Sequence, residues 1–393
     1  MLDTRRVYVA ILLLGVVSLM GDVVYEGSRG VIPDYLYFLG ASAFIVGLIG
    51  GLGDFLGFSV RLISGFLADT TRAYWLFIFL GYILIIAIPL LAFTNSWFAA
   101  ALLIIIERIG KALRTPSRDT VLSSVSRGVG VGKAFGIHEF MDQIGAVLGP
   151  LIVGLIMLYT RNSYLHVFTA LFPPYIILLI SLIYTYKSIG GWRYGVDKGL
   201  NGGLSREFYV YALAVALNTM GLIPAQIILY QASTILQPEN QQWLVPIIYL
   251  VIMGLDAPVA LASGYIYDKL KLNILLVPFM LSIIPPVLTI ISGFHLLVLA
   301  SIIFGIILGM QESIYRAAVA DIAPINVRGR AYGLYYTFYG FGFLLSGVVY
   351  GWLIDVKAQL VTVITYALMT QVLAITLLLK SKNMIAAIDT LHG

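Results

Sequence analysis

The chain has 393 residues, 60% of them apolar and only 11% charged, with a net charge of +5 and a mean hydropathy of +0.96. Soluble domains carry about 25% charged residues, so this composition excludes an ordinary water-facing surface and sets most of the exterior against lipid. Cysteine is absent, which excludes disulfides and thiolate metal sites. The basic balance fits positively charged loops on the inner membrane face better than a nucleic-acid partner.

Uncharged stretches at 73–94, 274–294 and 358–379 are the clearest membrane spans. Each is long enough for a hydrocarbon layer of about 30 Å at about 1.5 Å per helical residue. A β-barrel would alternate polar and apolar residues in short segments, and these runs do not. The first apolar segment runs into Gly21-Asp22 with no small-residue cleavage site, so it reads as a span and not a signal peptide. In chain order, twelve spans are expected at 7–31, 41–68, 73–94, 97–115, 131–158, 164–187, 207–236, 243–267, 273–293, 296–322, 328–353 and 358–380. This predicts an all-α membrane protein with a six-helix bundle over 1–187, a Gly-rich polar linker over 188–206 and a second six-helix bundle over 207–393. With the N-terminus inside, seventeen Lys and Arg fall on the cytoplasmic side and three outside. That bias puts both termini of a multi-pass cell-membrane protein in the cytoplasm.

The halves echo one another. Gly65-Phe-Leu-Ala-Asp69 closes the second segment and Gly264-Tyr-Ile-Tyr-Asp268 closes the eighth. Segment five carries Gly136, Gly145, Gly149 and Gly154, and segment eleven carries Gly333, Gly342, Gly347 and Gly351. Segments four and ten each hold acid and base inside an apolar run, Glu107-Arg108 in one and Glu312 with Arg316 in the other. Duplicated halves point to a transport path, with the solute site near the midplane between repeats. No Gly-x-x-x-x-Gly-Lys-Ser/Thr loop is present, which argues against a built-in ATPase. No His-Glu-x-x-His, Gly-x-Ser-x-Gly or Cys nucleophile supports an enzyme.

These features resemble the major facilitator superfamily. The resemblance covers nearly the whole chain: twelve spans, a six-plus-six repeat and a central loop. Gly65-Phe66-Leu67-Ala68-Asp69-Thr70-Thr71-Arg72 is similar to the family's signature loop, with Thr70 where a base is usual and Arg72 near the second glycine. The resemblance implies a gating latch in which Asp69 sits against a helix N-terminus between segments two and eleven and holds an outward-open state. Gly65, Asp69, Arg72, Gly264 and Asp268 are its expected members. Gly145-x-x-x-Gly149-Pro150-x-x-x-Gly154 resembles the family's antiporter signature, with Val153 replacing one glycine. It implies tight helix packing and, with a proton gradient as driving force, export of a small organic solute; proton-linked uptake is the alternative, and a cation exporter a weaker one.

A charge at the bilayer centre costs at least about 2.5–3.5 kcal/mol, so embedded charges should face a water-filled path or a partner. Asp22, Glu26, Glu107, Arg108, Asp142, Asp256, Glu312 and Arg316 are the expected pathway residues, joined by the polar Asn218, Gln226 and Gln311. Lys111 lies one turn from Glu107 and is expected to pair with it, leaving Arg108 for Asp142. Arg61, Arg114 and Arg118 are expected to reach for the inner surface as anchors. Asp22 and Glu26 are four apart and repel one another unless Arg29 intervenes. Asp22, Glu26 and Glu107 are therefore the first candidates for carrying a proton. His138 is expected to be structural or solvated, and no metal site is expected. The anticipated partners are a small-molecule solute, protons and lipid, with no nucleic acid and no cofactor, and the chain is expected to be a monomer.

Overall fold

The computed structural model describes residues 4–126, 129–192, 203–324 and 327–392, without side chains beyond 385. The expected linker lies mostly outside these residues, at 193–202. Lipid offers backbone amides no partner, so every pass must bond internally, and the described residues are helical with no strand. In order they form α1 (Thr4–Phe38), α2 (Ala43–Thr71), α3 (Tyr74–Ile83), α4 (Trp97–Val125), α5 (Val131–Tyr159), α6 (Tyr164–Thr169), α7 (Phe172–Ile189) and α8 (Arg206–Gly221). There follow α9 (Ala225–Leu236), α10 (Leu244–Leu270), α11 (Leu276–Leu281), α12 (Ile284–Ile291), α13 (Phe294–Met310), α14 (Arg316–Ile322), α15 (Arg328–Asp355) and α16 (Leu360–His392).

Twelve passes result because prolines break several of them in two. Pro89 turns the end of the third pass into tight 3-10 turns, Pro224 separates α8 from α9, and Pro285 and Pro286 open α12. A π turn over Gln311–Tyr315 joins α13 to α14. The fourth pass differs from its expected end at residue 115, because α4 continues through Pro116 to Val125. Proline leaves the carbonyl four residues back without its helical donor. Here the Ser64 hydroxyl donates to the Ala112 carbonyl at 2.8 Å and replaces that bond. Gly65 makes the approach possible, since a Cβ there would already touch the Pro116 ring at 3.3 Å.

The residues fall into two compact units that cross the sequence halves. The first comprises Met1–Gly40, Val60–Asp197 and Glu239–Leu250; the second comprises Ala41–Ser59, Lys198–Pro238 and Val251–Gly393. Within the first, α1 and α5 run parallel at backbone contact. A Cβ on Gly145 would lie 2.5 Å from the Leu19 carbonyl oxygen, and one on Gly149 would lie 2.7 Å from the Gly27 nitrogen. The start of α10 belongs here too: Asn162, beyond the end of α5, accepts from the Trp243 N–H at 3.0 Å and donates to the Asn240 carbonyl at 2.9 Å.

The second unit repeats this device between the first part of α2 and α15. Gly351 faces Ala43, Gly347 faces Gly47, Leu344 faces Gly51 and Gly340 faces Phe55, an antiparallel seam stepping by about one turn. Asp355 completes it by accepting the Ala43 and Phe44 N–H groups at 2.9 and 3.0 Å, which caps α2 with a carboxylate from another helix. Asp355→Ala is expected to weaken this clasp by about 1 kcal/mol, the usual worth of a cap. In a chain without cysteine, thiol labelling of a Ser42→Cys reporter should then run several-fold faster.

Candidate functional site

The buried charges of the first unit converge on α1. The long apolar run of this helix has to accommodate Asp22, Glu26 and Arg29, and the neighbouring α4 supplies their partners. Glu26 accepts from Arg29 at 3.2 Å and lies 3.7 Å from the Lys111 ammonium through one oxygen, while its other oxygen accepts the Tyr249 hydroxyl at 2.5 Å. Lys111 also donates to the Tyr25 hydroxyl at 2.7 Å. The Tyr25 ring faces three cations, with Lys111 at 4.0 Å, Arg114 at 5.4 Å and Arg29 at 5.8 Å from its centroid. An aromatic face is electron-rich, so this stacking offsets part of the cost of gathering like charges.

The Arg29 expected to relieve the Asp22–Glu26 pair therefore does so at Glu26, with Lys111 as a second cation. Two expected pairings are different in the structure. Lys111 reaches across to α1 and not along its own helix to Glu107. Glu107 instead lies 3.8 Å from the neighbouring Arg108, and its second oxygen is buried with no hydrogen-bond partner among the described residues. Asp142 meets Arg118 at 3.4 Å and His138 at 3.4 Å, both on the same oxygen, and not Arg108. The reason is depth. The α4–α5 connection is short, so the level of Asp142 on α5 matches Arg118 near the end of α4, whereas Arg108 is about 15 Å further along that helix.

Arg114 and Arg118 are not surface anchors. Arg114 is buried between the Tyr25 and Tyr82 rings and donates to the Gly81 carbonyl at 3.4 Å. Arg118 also bonds the Ser18 hydroxyl at 2.9 Å and Asp119 at 3.0 Å. His138 is only 2% exposed and lies against Asp142, which fits the structural rather than the solvated of its two expected roles. Asp22 is buried one turn from Glu26, where its Cβ would lie 2.8 Å from a Cβ on Gly145. Gly145, Gly149 and Pro150 thus hold α5 against the charged face of α1, and Gly154 abuts Ile247 at the start of α10.

The polar residues of the second unit make a neutral network centred on Asn218 of α8. Its amide nitrogen donates to Gln371 at 2.9 Å and Ser282 at 3.2 Å. Its oxygen accepts Tyr315 at 2.8 Å and Gln311 at 3.4 Å, and its backbone carbonyl accepts the Gln371 amide at 2.9 Å. Gln311 in turn accepts the Tyr339 hydroxyl at 2.9 Å. Gln311 and Tyr315 bound the π turn, a feature found often at functional positions. Gln226 donates to Asp54 at 3.1 Å. Asp256 is buried beside Gly309, and Glu312 is exposed, its backbone carbonyl accepting from Arg316.

Asp69 near the end of α2 accepts the Tyr74 hydroxyl from the start of α3 at 3.1 Å, and Arg72 between them sits at a positive φ of 56°. In the second unit Gly264 packs on Ser313 and Asp268 is exposed, while Asp321 takes the Tyr267 hydroxyl at 3.0 Å and Lys271 at 3.5 Å. Sequence reasoning missed Tyr249, Asp54, Gln371 and Asp355. Only Asp54 carried a signal, a lone acid inside an apolar run.

Comparison with known proteins agrees with this architecture. The family model described as Major Facilitator Superfamily matches residues 11–347 and 208–384. An uncharacterised protein of Mycobacterium tuberculosis is 32% identical over 364 residues, covering 90% of this chain and 88% of that one. An uncharacterised MFS-type transporter of Methanocaldococcus jannaschii is 24% identical over 370 residues, covering 91% and 92%. The crystal structure of a nucleoside transporter superposes with a TM-score of 0.73 over 95% of this chain and 99% of that one, at 14% identity. Membrane-length helices, duplicated halves and the family match together establish that the chain belongs to the major facilitator superfamily of transporters.

Proposed function

We propose that the protein is a proton-coupled secondary transporter of a small organic solute, with Glu26 as the group that exchanges a proton during the cycle. The observation that carries this reading is the double claim on Glu26. An ionised Glu26 holds both Arg29 and Lys111, and a protonated one releases them. A change of one proton therefore alters two half-buried cations at once, which is the differential interaction a coupled cycle requires.

The halves 1–187 and 207–393 are the bodies that move, in a cell membrane with both termini cytoplasmic, and the protein works as a monomer. The clasps at Asp355 and Asn162 each join segments of both halves, and their release lets those segments part. Export by exchange is supported by the resemblance of Gly145 to Gly154 to the antiporter signature. In the structure these residues are a packing seam, a role that serves either direction. Uptake together with protons is supported by the Glu26 geometry, because the proton-loaded state is the one in which Glu26 no longer holds its two cations, and it is the favoured direction.

Reconstituted vesicles with an imposed pH gradient test the proposal. A diverse solute panel should include members that drive proton movement, and Glu26→Gln should abolish it. Glu107→Gln is expected to lower coupled flux at least about tenfold, since a buried carboxylate with an unmet acceptor stands beside Arg108, one turn from Lys111 on the same helix. Unchanged proton flux in that variant would remove Glu107 from the mechanism.

A further inference from the structure

We infer that Lys111 and Arg29 form the binding site for an anionic head group, so that the solute is an organic carboxylate or phosphate-type anion. This names the solute class for the cycle just proposed and rests on that reading only for the link between binding and the proton.

Access separates the two cations from the acid between them. The side chains of Arg29 and Lys111 are 25% and 21% exposed, whereas Glu26 between them is 7% exposed. The carboxylate is covered by its own partners, with both oxygens engaged by Arg29, Lys111 and Tyr249. An ammonium has three donors. Lys111 commits one to Tyr25 at 2.7 Å and has only a 3.7 Å contact with Glu26, so it retains capacity for a further acceptor. Arg114 adds a third positive charge on the same ring and is itself buried. A solute approaching this cluster therefore meets cations first and finds the acid already occupied. An ammonium solute would have to displace two cations to reach Glu26, whereas an anion has only to share them.

The site also explains how a proton and an anion come to travel together. Ionised Glu26 and the solute anion compete for the same two cations. A proton on Glu26 ends that competition, leaving Arg29 and Lys111 to the solute and to the more distant pull of the buried Asp22 and Glu107, the other acids that face them. Release of the proton returns the cations to Glu26 and expels the anion. Tyr25 and Tyr249 flank the cluster and stay in place through the exchange.

The test is equilibrium binding to the purified full chain in detergent, without a gradient. The probes are one set of skeletons carrying different heads: phenylacetate, benzylphosphonate, phenethylammonium and phenylethanol, with propionate, propylphosphonate, propylammonium and propanol beside them. Binding is read as a shift in thermal midpoint across concentration and pH. The expected result is stabilisation by at least one of the anions and none by its ammonium or alcohol counterpart. Lys111→Gln should weaken binding at least about tenfold and Lys111→Arg should restore most of it. Glu26→Gln should keep binding and remove its pH dependence. Stabilisation by the ammonium or neutral compounds alone, no stabilisation by any anion, or binding unchanged within about twofold in Lys111→Gln overturns the inference. Anion binding that persists with no pH dependence in the unaltered protein upholds the site and refutes the proton link instead, so the two readings fail separately.

Discussion

Replacing Glu26 with alanine is expected to abolish transport and to lower the thermal midpoint more than any other single change in the first unit. The substitution leaves Arg29 and Lys111 without the carboxylate they share and strips Tyr249 of its acceptor. Removing one member of a buried ion pair typically costs about 3–5 kcal/mol, mostly because the remaining charge stays buried without compensation. Glu26→Gln keeps an acceptor for Tyr249 and the volume of the side chain. It should therefore unfold above Glu26→Ala but below the unaltered protein, because Arg29 and Lys111 still lose their carboxylate, while transport is lost all the same. Thermal unfolding in detergent and solute-driven proton flux in vesicles, measured on both variants, separate the two effects. A Glu26→Ala protein that transports normally would falsify the central role given to this residue.

Gly347→Leu is expected to produce the largest structural effect in the second unit. At this position the backbones of α2 and α15 meet without an intervening side chain, and even a Cβ on Gly347 would collide with the Gly47 carbonyl. Forcing extra atoms into a packed contact costs about 1–3 kcal/mol when neighbours can yield. Here the neighbour is backbone, so the helices themselves have to part. The Ser42→Cys reporter should then label rapidly, as expected also after loss of Asp355, and the thermal midpoint should fall. Gly57 lies on the same α2 with nothing within 4 Å of its would-be Cβ, so Gly57→Ala should be neutral or slightly stabilising. Similar outcomes at 347 and 57 would show that the seam is not a close contact.

Much of the architecture could be read from the residues because lipid imposes a simple rule. A run such as 358–379 has no charge to place in water, and no structure other than a helix satisfies its backbone there. The repeat was visible as well, since Gly342 packs on Ala216 and Thr219 much as Gly145 packs on Leu19 and Asp22. The pairing of charges was harder to read. Spacing along one helix suggested Glu107 with Lys111, but a lysine arm is long enough to leave its own helix, and a better partner stood on α1. Asp142 could have been assigned by counting from the short α4–α5 connection, which sets Arg118 and Asp142 at similar depth. The end of α4 was misplaced because Pro116 reads as a stop. Its released carbonyl is satisfied from another helix by Ser64, and nothing local announces that. Tyr249 and Asp355 act more than 200 positions from their partners, beyond the reach of any periodicity.

The single amide of Asn218 fastens α8 to α16, to the start of the α11–α12 break and to the π turn, and the turn is tied on to α15 through Tyr339. A knot of that kind leaves little room for its strands to slip past one another. The consequence is mechanical: this part of the molecule behaves as a stiff lever that can swing but not bend. The break before Pro224 is gripped as well, since Tyr350 and Tyr366 donate to the Gly221 and Met220 carbonyls, so deformation during a transport cycle concentrates outside this end of α8.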